Sequence, residues 1–157
     1  MLVVVLIGLT VTFVNLNLDP DPDDLVHREG QRIAALIDQL RDESVLSGRP
    51  MALEVDEAEQ NYFFLSVNNG KWKRIQDDEL FRSRPFFYPI QGSLKAENSG
   101  SSAADAEETK TTNGRIVVDP LGEISPFVLT LSLSDAEARV LLDRFAELRV
   151  ERGRDDS

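Results

Sequence analysis

The sequence predicts an α+β fold, in which a hydrophobic N-terminal helix continues into an amphipathic helix and a β-rich domain follows. Three observations predict it. Residues 1–18, MLVVVLIGLTVTFVNLNL, form an uncharged apolar run. Residues 23–47 repeat their apolar side chains at helical spacing, and from Met51 the period falls to two.

Composition sets the outer bounds. A chain of 157 residues supports one domain of ordinary size with a real core. Its formal net charge of −11 argues against a nucleic-acid partner, because phosphate binding needs clustered Lys and Arg. The same charge disfavours a polybasic hold on anionic lipid. With no cysteine there is no disulfide framework, thiol nucleophile or Cys-based metal site, and the absence fits cytosol and periplasm equally.

The opening run carries the functional weight. Leu2, Val3, Val4, Val5, Leu6 and Ile7 are consecutive, and Leu9, Val11, Phe13, Val14, Leu16 and Leu18 extend them. As a helix the run spans about 27 Å at ~1.5 Å per residue, close to the ~30 Å hydrocarbon thickness of a bilayer. Withdrawing its thirteen large apolar side chains (Met1 included) from water is worth on the order of 20–40 kcal/mol. No soluble domain leaves that exposed. A cleaved signal peptide needs a positive n-region and a small-residue cleavage site, and neither is visible. A core strand is shorter, and the polar residues Thr10, Thr12, Asn15 and Asn17 do not gather on one face. A membrane-inserted or helix-packed anchor is the preferred reading, and a buried core helix is the alternative.

DPDPDD (19–24) should break or kink that helix, because Pro20 and Pro22 lack the helical donor. A calcium loop would need a glycine and a distal Glu at spacings absent here, so an Asp N-cap explains the segment better. The amphipathic helix then covers 25–48, with its stripe on Val26, Ile33, Leu36, Ile37 and Leu40 and its end marked by Gly48 and Pro50. His27, the only histidine, sits beside Arg28 and reads as a surface residue. Gly30 costs a helix about 1 kcal/mol relative to Ala, which a closely packed neighbour would explain.

The β-rich domain covers 49–152, with 153–157 as a polar tail. MALEVDE alternates, and NYFFLSVNNGKWKRI reads as two strands around the Asn69-Gly70 turn. RPFFYPI (84–90) reads as a proline-bracketed edge strand, and Phe63, Phe64, Trp72, Phe86, Phe87 and Tyr88 as core rather than a stacking platform. Residues 93–114, nearly devoid of large apolar side chains, read as a mobile loop. RIVV and PFVLTLSL are strands joined through DPLGE, where Pro120 and Gly122 favour reversal. Beyond them SDAE resembles a capping box, with Leu141, Phe145 and Leu148 at helical spacing, yet ELRVER alternates like a strand. The residues leave helix and hairpin open.

These features together resemble a known family. MLVVVLIGLT is similar to the hydrophobic segment of the type IV pilin and pseudopilin superfamily, whose leader glycine precedes a stretch close to Phe-Thr-Leu-Leu-Glu. The resemblance would put that leader and glutamate immediately upstream of Met1, so neither falls on a position of this sequence. SGRP (47–50), YFF (62–64), KW (71–72) and DPLGEISPFVLTLSL (119–133) narrow it to the H-type minor pseudopilins of type II secretion and their FimT-like relatives. The resemblance covers most of the chain outside 93–114.

It implies an amphipathic helix packed on a two-sheet antiparallel domain, and a hairpin over 134–152. It implies a single-pass protein of the bacterial inner membrane with its domain in the periplasm and no cofactor. The implied partners are the bilayer, other major and minor pseudopilins, and the inner-membrane assembly platform; no nucleic acid is expected. A type IV pilus minor pilin and a membrane-anchored periplasmic binding module are the alternatives. An enzyme is disfavoured: GxSxG, P-loop and HExxH motifs and a second His are absent, and 28 acidic residues place carboxylates together by chance.

Overall fold

The computed structural model describes residues 20–96, 114–143 and 145–153. The apolar run 1–18 and residues 97–113 of the expected loop therefore lie outside the described residues. A single helix, α1 (Pro22–Ser47), comes first among the described residues. It starts three residues earlier than the expected 25, because Pro22 occupies the first helical position, where a missing N–H costs nothing. Asp21 caps it, its carboxylate accepting from Asp23 N at 3.1 Å. Gly48, at φ 64°, closes the other end in the left-handed conformation.

Nine strands follow among the described residues, in two antiparallel sheets. The first is ordered β3-β2-β1-β6, from β1 (Met51–Asp56), β2 (Asn61–Asn68), β3 (Lys71–Arg74) and β6 (Gly114–Val118). The short β4 (Arg84–Pro85) pairs with the start of β2. The second is ordered β5-β7-β8-β9, from β5 (Gln91–Ala96), β7 (Phe127–Leu133), β8 (Ala136–Leu142) and β9 (Leu148–Arg152). The Asn69-Gly70 turn has φ of 53° and 74°, as a type I′ hairpin demands. Helix α1 lies mainly across β7, β8 and β9 and touches β1 and β6, so its apolar stripe shares one core with both sheets. Val26, Ile33, Leu36, Ile37 and Leu40 are all buried there, worth about 8–15 kcal/mol as an upper bound.

Gly30 has the packing reason its sequence position suggested. A β-carbon there would stand 2.8 Å from Val150 Cγ1 and 3.4 Å from Val140 Cγ2. Those methyls belong to β-branched residues, which turn away only by leaving their rotamer. Gly30→Ala therefore trades about 1 kcal/mol of helix propensity against a clash of similar size and leaves the urea midpoint nearly unchanged. Gly30→Val has no such compensation, and a loss of about 2–3 kcal/mol is expected in the same titration.

The hairpin reading of the C-terminal stretch holds. Leu148 and Val150 alternate against the core beside α1, and the 133–136 turn carries Ser134 at φ 54°. At the β8–β9 turn the Asp143 carboxylate accepts from Glu147 N (3.0 Å) and Phe145 N (2.8 Å) and pairs with Arg149 Nε at 2.9 Å. These contacts, the Glu147 amide foremost, hold it below the usual carboxylate range. A depressed folded pKa means stability present above the unfolded value, ~3.9, and lost as pH falls through the folded one. Asp143→Asn should accordingly flatten part of the acid-side decline when urea midpoints are compared between pH 6 and 3.

Three sequence expectations need correction. The edge strand expected over 84–90 is reduced to Arg84–Pro85, because Pro85 and Pro89 cannot donate to a ladder. Of the six aromatics expected in the core, Phe64 and Phe86 are there. Phe63 and Trp72 instead pack with Ala52, Leu65 and Val117 in a second, smaller cluster, with the Arg74 guanidinium 3.6 Å from the Phe63 ring centroid. Phe87 and Tyr88 are exposed. Finally, 93–96 and Gly114 are strand, not loop. Leu94 is buried, and side chains from the β1–β2 turn mimic a neighbouring strand. Glu57 Oε1 accepts from Leu94 N (2.8 Å), and Gln60 Oε1 accepts from Gly92 N (2.8 Å).

Candidate assembly surface

The twelve residues expected to form an anchor, from Leu2 to Leu18, lie outside the described residues; in chain order the described residues begin at Pro20, directly before the cap of α1. Among the described residues no helix is long and apolar enough to cross a membrane. Helix α1 is amphipathic, and its first turn carries Asp23 and Asp24 beside the positive end of the helix dipole. Asp24 pairs with Arg152 at 3.1 Å, tying the helix start to β9. His27 is half-buried and its Nε2 lies 3.1 Å from Gln31 Nε2.

A buried carboxylate organises this end. Glu29 falls on the apolar stripe of α1 and is only 5% exposed. It accepts from Arg32 through Nε at 2.9 Å and through Nη2, and from the backbone N–H of Phe87 at 3.3 Å. The hydrogen bond to Glu29 raises the Arg32 pKa against the opposing effect of burial, so the guanidinium is always charged. That guanidinium sits 5.7 Å from the Tyr62 ring centroid, and burial pushes the Tyr62 phenol up. Glu29 thus bridges the helix to the turn 86–90. A sequence signal for it existed: an acidic residue on the stripe with an arginine three places on.

Phe86 roots that turn in the core, 5.3 Å from Tyr62, while Phe87 and Tyr88 project at 56% and 88% exposure. At the opposite end of α1, Val45 and Leu46 with Leu121 and Gly122 line an open depression of about 530 Å³, with Arg41 and Asp42 on its wall. Leu46 and Leu121 are more than four-fifths exposed. Two solvent-facing apolar features thus mark the two ends of one helix. Among the described residues no group of three or more His, Asp or Glu is placed to hold a metal ion.

Comparison with known proteins decides the family. The model of the family described as type II transport protein GspH matches residues 29–144. The chain belongs to the GspH family. It is 28% identical over 163 residues to the type II secretion system protein H of Aeromonas hydrophila, covering 96% of this chain and 88% of that protein. Its fold is similar to the minor pseudopilin EpsH of Vibrio cholerae, with a TM-score of 0.64 at 21% identity over 87% of this chain and all of that one. The solution structure of Escherichia coli GspH is similar too, with a TM-score of 0.62 at 14% identity, covering 90% of this chain and 97% of that one. The H-type minor pseudopilin expected from SGRP, YFF and DPLGEISPFVLTLSL is therefore what the family match supports, and the two antiparallel sheets under a helix are its fold.

Proposed function

We propose that the chain is a structural subunit of a type II secretion pseudopilus, with residues 1–18 as its grip and no catalytic step in its role. The family match over 29–144 carries this reading. Before assembly the apolar run holds the subunit in the inner membrane, with the acidic domain in the periplasm. During assembly it leaves lipid and packs among the runs of other pseudopilins, guided by the inner-membrane platform. Lipid and protein bundle are equally apolar, so the transfer gains little hydrophobic energy and packing supplies the preference. The domain fits this role: its core is closed, and its two exposed apolar features are available for contact.

The test is export in the chain's own host. Removing the gene should stop type II secretion, and restoring the full chain should recover it. The same chain carrying Leu9→Arg places a cation mid-run at a cost of about 3 kcal/mol and should fail to restore export while its domain still folds. Normal export by the Leu9→Arg chain would contradict the proposal.

A further inference from the structure

Phe87 and Tyr88 are the most conspicuous side chains the fold leaves unused. They are held out rather than loosely hanging. Phe86 is buried, Phe86 N donates to Gln60 O (3.1 Å), Ile90 N donates to Phe87 O (2.8 Å), and Phe87 N donates to buried Glu29. The pair is fastened to the N-terminal third of α1, the third that joins the apolar run. From the cap Asp21 to Glu29 the distance along α1 is about 12 Å.

We propose that Phe87 and Tyr88 form a second membrane contact, seated in the interfacial zone of the bilayer that holds residues 1–18. The inference rests on the anchor reading above and goes beyond it. The position where the apolar run ends argues for lipid as the occupant: the run stops three residues before the cap of α1, so this third of the helix stands over the membrane. The chemistry agrees, since an aromatic body with a polar tip settles where acyl chains meet headgroups. Asp21, between Pro20 and Pro22, has the extended ψ of an N-cap, 125°, so α1 does not run straight back through Asp21 and its axis is not tied to that of the run. With a net charge of −11 and Asp21, Asp23 and Asp24 close by, the contact is to a zwitterionic surface and not to anionic headgroups.

Tryptophan quenching tests this with the full chain in phosphatidylcholine vesicles whose acyl chains are brominated near the headgroup. In a Trp72→Phe background, one chain carries Tyr88→Trp and a second carries Leu121→Trp at the far end of α1. Emission should be lost in the first and kept in the second, with both chains floating with the vesicles. Flotation with emission kept in both would overturn the second contact and leave the anchor standing; failure to float would overturn both. Emission that stays unquenched by the bromolipid and shifts to the blue once a sister pseudopilin is added would also overturn it, by assigning the pair to a protein partner. If Trp72→Phe unfolds the domain, amide exchange in the unmodified chain separates the same outcomes. Vesicles should slow the Tyr88 amide and not that of Leu121, and equal rates would contradict the proposal.

Discussion

Replacing Gly92 by alanine is expected to destabilise the domain by about 3 kcal/mol, and by valine to leave little folded protein. The reason is local and geometric. A β-carbon at Gly92 would lie 2.3–2.8 Å from three atoms of the Phe86 ring. That ring cannot withdraw, because it is buried against Tyr62 and its backbone is held by Gln60. Nor can the strand shift. Gly92 N is held by Gln60 Oε1 at 2.8 Å, and β5 is in register with β7 from Gln91 to Ala96. The clash would have to be relieved by moving a sheet or an aromatic out of the core, and a domain has only about 5–15 kcal/mol of total stability to lose to such faults. Thermal and urea unfolding of Gly92→Ala measure the effect, and wild-type stability in that variant would show that the Phe86 packing is looser than these distances imply.

Glu29→Ala is the second large effect, with an expected loss of about 2–3 kcal/mol. Removing one member of a buried ion pair commonly costs about 3–5 kcal/mol because its partner is stranded. Here Arg32 keeps 37% of its side chain exposed and can turn to water, which reduces the figure. What remains is the Phe87 amide without its acceptor and a void on the helix stripe. Glu29→Gln keeps an acceptor for that amide and should fall between wild type and alanine. Near-ultraviolet circular dichroism should also change in the alanine variant, because the turn carrying Phe87 and Tyr88 loses its tie to the helix. Equal stability of the alanine and glutamine variants would mean that the amide contact contributes nothing.

Much of this fold was legible in the sequence because its signals were local. Periodicity placed α1 and its stripe, Asn69-Gly70 placed a hairpin, and Gly30 announced a tight helix–sheet contact. The misreadings arose where distant residues decide. SLKA at 93–96 looks too polar for a strand, yet Leu94 is buried and Glu57 and Gln60 satisfy the backbone of β5 from another part of the chain. Phe87 and Tyr88 look like core because aromatics usually are, and only the anchoring of Phe86 and the Glu29 contact show that they face outward. At the C-terminus the helical spacing of Leu141, Phe145 and Leu148 was overruled by alternation, which puts Leu148 and Val150 against the core. The candidate surface was less readable than the fold: the apolar run lies outside the described residues, and Glu29 gains its role from a turn 58 residues away.

The central claim is that residues 1–18 hold this subunit to lipid before they hold it to its fellows. Fractionation of host cells lacking the other pseudopilins tests it most directly. The full chain should sediment with the inner membrane, resist an alkaline carbonate wash and come free only in detergent. Recovery as a soluble monomer without detergent would contradict the account.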